Sequence, residues 1–325
     1  MLVTILPFFL AAQVTVDPSR QSEWNMYGGE CTYDVFVIMS LSNIAPADKS
    51  FCSEIKSDLK CRPKGQDSLS CHFQNSWIRH PGLKENNCTS AMDLVPTGTR
   101  FVGEEPFEIR FNPRGIQNLV VSKNTPRWQL DMIRAIVSQL NIGFEALERR
   151  DRFTIVENST MNSCEVDVRF IHDSSEEEDD DDDDDEKDDS VEKNGATKQG
   201  EMEGQDFEIQ FVSTNDKPAR TLDEKFHVQK LRQPKSCPQR TIYFFRNEGD
   251  YDRGDEEIYM DMTDSVSHIM IEKNKFLSFT IAAGLITNRS QVVIRPQQHI
   301  RMKLKQIDLA RHSLSEIQNP VSMSL

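Results

Sequence analysis

The chain reads as a mainly β protein, a β-barrel wrapped around one central helix and interrupted by a disordered acidic insertion. Three observations predict this. Short alternating apolar runs recur from Tyr33 to Leu304, the period of half-buried strands. One stretch alone, TPRWQLDMIRAIVSQLNIGF, carries helical spacing instead. Between Asp173 and Asp189 stand 14 acidic residues and one lysine, Lys187, in a segment with almost nothing to bury.

The strand signals fall at Tyr33–Met39, Phe107–Phe111, Cys164–Phe170, Phe207–Val212, Thr241–Phe245, Phe276–Ile286, Gln291–Ile294 and Ile300–Leu304. The second opens a hairpin, PFEIRFNPRGIQNLVV. Phe107, Ile109 and Phe111 alternate with Glu108 and Arg110, and a second apolar run follows from Ile116 to Val121. Asn112, Pro113 and Gly115 occupy positions i, i+1 and i+3 of a type I turn, where proline presets φ.

The helix comes next. Leu130, Ile133, Ile136, Val137 and Leu140 share one side, while Trp128 and Met132 widen the apolar surface to a second flank. A helix apolar over most of its girth is buried rather than laid on a surface. Thr125 is placed to cap its start, Pro126 suits the first helical position, and Gly143 is placed to end it. A helix that must be covered on every side, fed by a hairpin, calls for a sheet curved around it.

The net charge of −15 comes almost wholly from the acidic tract; the rest of the chain is close to neutral. A linker is expected over 173–205, bulging from a loop between strands. Its blandest role is solubilisation. Ser174 and Ser175 precede acidic residues as acidophilic kinase substrates do, and the carboxylates could hold Ca²⁺ diffusely and weakly.

The start, MLVTILPFFLAAQ, is an uncharged apolar run too short to span a bilayer. It is expected to be a secretory signal peptide over residues 1–12, with an N-terminal core strand as the other reading. Sequons at Asn87, Asn158 and Asn288 point the same way, to a secreted, extracellular glycoprotein. Seven cysteines with no CxxC pair fit an oxidising compartment. Cys52, Cys61, Cys71 and Cys88 crowd one segment and allow three connectivities, while Cys31 reads as a small buried hydrophobe.

No enzyme is expected. The sequence holds no HExxH, GxSxG, P-loop or dinucleotide glycine fingerprint, and its seven histidines share no metal-ligand spacing. No cofactor or metal site is expected on this chain. Cations are more informative. In HIRMKLKQIDL, Arg301, Lys303 and Lys305 alternate with Met302 and Leu304, so a strand there has one cationic and one apolar face. In KFHVQKLRQPKSCPQR a second group holds Lys225, Lys230 and Arg232. A solvated sheet face is the commoner outcome for such charges; the functional reading is docking onto an acidic partner. Nucleic acid is not expected, because the acidic tract opposes phosphate and no aromatic–basic interleaving marks a groove.

The run FEIRFNPRGIQNLVV…PRWQLDMIRAIVSQLNI, with WNMYGGECTY upstream and KLRQPKSCPQRTIYFF downstream, resembles the N-terminal domain of insect vitellogenins. These belong to the large lipid transfer proteins, with the apolipophorins and the microsomal triglyceride transfer protein. The resemblance covers roughly Trp24 to Leu309 and assigns residues 13–325 to a lipid-transfer-type N-terminal β-barrel domain, interrupted at 173–205. It implies a disulfide between Cys164 and Cys237, closing a loop around the acidic tract, and phosphorylation at Ser174 and Ser175 suits a family known for phosphoserine. It implies a role in lipid transport and yolk storage, with lipid carried by a full-length relative. It also implies recognition by an endocytic receptor of the lipoprotein-receptor type, for which Lys225, Lys230, Arg232, Arg301, Lys303 and Lys305 are the candidates.

The family's helical arc and lipid-cavity sheets are not found before Leu325, so this chain is expected to hold no bulk lipid. Two expectations follow. The chain is a piece of a longer lipid-transfer protein, whose remainder is its partner, or a free-standing secreted module that reuses the barrel for signalling or immune recognition.

Overall fold

The computed structural model describes residues 1–43, 50–79, 99–100, 103–144, 151–159, 162–171, 207–212, 220–221, 225–233, 235, 241–242, 259–287 and 293–324. Two short strands, β1 (Leu2–Leu6) and β2 (Leu10–Val14), precede helix α1 (Gln21–Tyr27) and three long strands, β3 (Gly29–Asn43), β4 (Ser50–Pro63) and β5 (Ser68–Arg79). After β6 (Thr99–Arg100) come the hairpin β7 (Phe107–Asn112) and β8 (Gly115–Ser122), helix α2 (Arg127–Val137), and strands β9 (Arg152–Ser159) and β10 (Asn162–Phe170). The rest is β11 (Phe207–Phe211), β12 (Arg220–Thr221), β13 (Phe226–Arg232), β14 (Thr241–Ile242), β15 (Tyr259–Glu272), β16 (Lys275–Thr287), β17 (Val293–Leu309) and β18 (Pro320–Ser324).

Most strands join one large antiparallel sheet, in the order β18-β8-β7-β5-β4-β3-β17-β16-β15-β13-β10-β9. Apolar residues at alternate positions supply much of its inner face. Tyr33, Val35 and Val37 of β3, Ile55 and Leu59 of β4, and Met302 and Leu304 of β17 are all buried. The expected strand at Ile300–Leu304 and the described part of the one at Gln291–Ile294, Val293 and Ile294, belong to the single strand β17, while residues 291–292 lie outside the described residues.

Helix α2 packs against this inner face, with Leu130, Met132, Ile133, Ile136 and Val137 buried in the same core as the strands. Its final turn tightens to 3-10 geometry at Ser138–Leu140, where Gln139 hydrogen-bonds Ser278 and Thr280 of β16. Two details differ from expectation. The helix begins one residue later, with the Pro126 carbonyl accepting from Leu130, and Thr125 makes no cap. Gly143 adopts φ 79°, the left-handed turn that leads the chain away, but stands three residues beyond the last helical turn.

The expected closed barrel is not found closed among the described residues. The sheet's path ends at β18 and β9, and no ladder joins them. The reason is local. Residues 118–122 of β8 pair with β18, so most of the edge that would meet β9 is already taken.

Residues 1–14, which include the segment expected as a leader, form two strands packed into the core. β1 pairs with β2, and β2 with β11, forming a four-stranded sheet that ends in β12. Val3, Ile5, Leu6, Leu10 and Ala12 are buried, and Val3 rests on Gly29, where any side chain would collide with it. The acidic tract, with Ser174 and Ser175, and the sequons at Asn87 and Asn288 lie outside the described residues. Asn158 falls near the end of β9.

Candidate functional site

β17 crosses the middle of the large sheet between β3 and β16. Its buried residues Ile300, Met302 and Leu304 point inward, so Arg301, Lys303 and Lys305 project outward with Lys303 and Lys305 exposed. A register shift between Leu304 and Gln306 keeps Lys305 on this outer side before the alternation resumes. The neighbouring strands answer these cations with carboxylates. Arg301 Nη2 lies 3.5 Å from Asp34 Oδ2 on β3, with its guanidinium 5.7 Å from the centre of the Phe36 ring. Lys305 Nζ lies 3.7 Å from Asp58 Oδ1 on β4, and its side chain is 53% exposed. Lys303 stands in register with Asp34 but is held in no ion pair among the described residues. Surface pairs of this kind are worth about 0–1 kcal/mol, so these charges remain available to a partner.

The charged face extends further than the sequence reading placed it. On β4, Lys56, Asp58, Lys60 and Arg62 project to the same side as their β3 and β17 neighbours. Lys60 pairs with Glu30 at 3.1 Å. Arg62 ties two segments down, donating to the carbonyls of Tyr27 and His312 at 2.7 and 2.6 Å. This end of the face sinks into a polar cleft of about 710 Å³, lined by Lys60, Arg62, His72, Arg311, Glu30 and Asp308 among others. The signal for β4 was present as an every-second-residue run of charges, but two of its inward positions are serines. Ser57 and Ser76 fill the inner face by bonding each other at 2.6 Å, which breaks the apolar half of the pattern.

The second cationic group comes apart in the structure. Lys225 is half exposed and pairs with Glu272 at 3.8 Å, three strands away from β17. Lys230 is not on the surface. Its side chain is 3% exposed, and its ammonium donates to Glu157 Oε1 at 2.8 Å and to the Asn141 carbonyl at 2.6 Å. Burial pulls its pKa down, and the Glu157 carboxylate opposes that pull. Arg232 is 10% exposed and reaches Glu157 Oε2 at 3.4 Å. Both face inward because β13 carries them against β9 and β10, where they neutralise a fully buried glutamate. They are structural cations, and Lys230 and Arg232 are withdrawn as docking residues.

Cys164 is disulfide-bonded, and so is Cys52; Cys88 and Cys237 lie outside the described residues. Cys61 is bonded to Cys71, and Cys31 is free and buried. No group of histidine, cysteine or acidic side chains able to hold a metal occurs among the described residues. No helix among them is long and apolar enough to cross a membrane.

The described residues thus form a large antiparallel sheet with an apolar helix against its inner face and charges on its outer face. The sequence profile of the Vitellogenin N-terminal domain matches residues 33–308, and the chain belongs to that family. A solved structure of lipovitellin, described by its lipid–protein interactions, is similar in fold: the TM-score is 0.53 at 8% identity, over 90% of this chain and 26% of that one. The chain therefore spans about a quarter of the lipovitellin chain that it matches.

Proposed function

We propose that this chain is the recognition domain of a secreted lipid carrier or yolk precursor, docking onto an acidic endocytic receptor of the lipoprotein-receptor type, while bulk lipid is held elsewhere. The observation that carries this reading is the outward row Arg301, Lys303 and Lys305 on β17, flanked by Lys56 of β4. Lys303 is exposed and in no ion pair among the described residues, and Lys305 is exposed and paired with Asp58 at 3.7 Å, so a dense acidic surface can recruit these cations without breaking the fold. Family membership supports the lipid-transport and storage context. Lys225 contributes at most from a separate place, beside β13 and three strands from β17, because Glu272 already engages it.

The test is direct capture. Purified chain is passed over an immobilised ligand-binding ectodomain of a lipoprotein-type receptor, with a neutral β-sandwich domain as control. Retention on the receptor alone supports the reading. Equal retention on both surfaces, or none on either, overturns it and leaves the free-standing extracellular module as the account to pursue.

A further inference from the structure

Three cysteines stand in one row across the sheet. Cys31 of β3 is directly opposite Cys61 of β4, and Cys61 is directly opposite Cys71 of β5. All three are 1% exposed, so their side chains share the inner face. Cys61 and Cys71 are bonded, with Cα atoms 4.1 Å apart, and Cys31 is a free thiol. Directly opposed residues in an antiparallel pair bring their Cβ atoms to about 4.5–5.5 Å, at the edge of what a disulfide spans. Cys61 therefore has a partner within reach on each side.

We propose that Cys31, Cys61 and Cys71 form an exchange row in which Cys61 can be bridged to either neighbour. Cys31 loses its proton and its thiolate attacks Cys61 Sγ. The Cys61–Cys71 bond breaks, and Cys71 leaves as a thiolate that takes up a proton. One disulfide and one thiol are present before and after, so the step needs no oxidant or reductant. The two isomers differ mechanically. The Cys61–Cys71 bridge staples a single hairpin, across a separation of 10 residues. A Cys31–Cys61 bridge joins β3 to β4 across a longer loop, which constrains the unfolded chain more strongly.

The closed fold holds the row silent. Burial pushes the Cys31 thiol up to about 12, with the Tyr33 hydroxyl bonded to it and Glu30 the charged group acting on it, so almost no attacking thiolate exists near neutrality. Exchange proceeds when the β3–β4–β5 region opens, during folding or under partial denaturation. The device thus selects an isomer while the chain folds and then locks it.

Two arms test this by acid-quenched alkylation and non-reducing peptide mapping. In Cys71→Ser, refolded with oxidised glutathione as the oxidant, the expected product is a Cys31–Cys61 linked peptide. In the wild-type chain held in sub-denaturing urea at about pH 9, where thiolate becomes available, that peptide should rise by about tenfold over the native sample. Cys31→Ser should abolish the rise. If Cys71→Ser is folded yet leaves Cys31 and Cys61 both alkylated, the row does not exchange. If Cys71→Ser fails to fold, the urea arm decides alone, and a flat yield there overturns the proposal.

Discussion

Asn141 bridges the seam that the backbone leaves open between β8 and β9. Its Oδ1 accepts from the Ile116 amide of β8 at 3.1 Å, and its Nδ2 donates to Glu157 Oε1 of β9 at 2.7 Å. Gly115, at φ 111°, admits this side chain where a Cβ would collide with Asn141 Oδ1. Lys230 completes the cluster by binding both the Glu157 carboxylate and the Asn141 carbonyl. The order of the hairpin at 107–122 now has its reason. Its turn is fixed to the end of the helix that follows, and the helix end is fixed to the far edge of the sheet.

This cluster predicts the cost of removing one charge. Lys230→Ala leaves Glu157 buried with its nearest cation gone and should lose about 3–5 kcal/mol, the range for breaking a buried pair from one side. Urea unfolding followed by tryptophan fluorescence measures it. A loss below about 1 kcal/mol, the scale of an exposed pair, would show that the ammonium is solvated after all.

The helix makes a second prediction. Ile133 is 2% exposed against the strands. Ile133→Ala should destabilise the domain by about 2–5 kcal/mol through lost burial and the cavity left behind. A silent substitution would place α2 on the surface and overturn its packing.

Glu108 supplies the pH dependence. Burial raises its pKa, but hydrogen bonds from Lys64 at 2.6 Å and Arg110 at 2.7 Å outweigh that and hold the carboxyl below its usual range. Because the folded-state pKa is depressed, the stabilisation is present above the unfolded carboxylate range and is lost as pH falls through the folded value. Glu108→Gln should therefore cost about 1 kcal/mol near neutrality, discounted for the half-exposed partners, and the difference from wild type should vanish in acid. Thermal melts across pH check this; a difference that persists at low pH would assign the effect to shape rather than charge.

How legible this was in the sequence depends on what each residue faces. Strands β3, β7 and β10 showed themselves because apolar residues fill their inner positions. β4 hid because Ser53 and Ser57 are buried there. The cationic face of β17 was legible because its partners on β3 and β4 lie outside and leave the alternation intact. Lys230 was misplaced for the opposite reason. Its partner Glu157 is distant in sequence, and no local pattern separates a buried paired lysine from an exposed one. The seam was illegible because its closure rests on one asparagine side chain rather than a periodic run.

The disulfide around the acidic tract gives a fourth prediction. Cys164 is bonded, and the family resemblance names Cys237 as its partner. Non-reducing peptide mapping should recover the Cys164–Cys237 pair. Finding Cys164 linked to Cys88 instead would redraw the connection between the chain's two halves.

The most direct measurement of the central claim is the affinity of Lys303→Glu/Lys305→Glu for the acidic receptor ectodomain, taken beside wild type at low and high salt. The pair is exposed and weakly engaged, so stability should change by no more than about 1 kcal/mol. Binding by wild type should weaken with salt, and the double variant should lose about tenfold or more in Kd at low salt, with a shallower salt dependence. A variant that binds as tightly as wild type, with the same salt dependence, would make the β17 cations a solvated face and contradict the account.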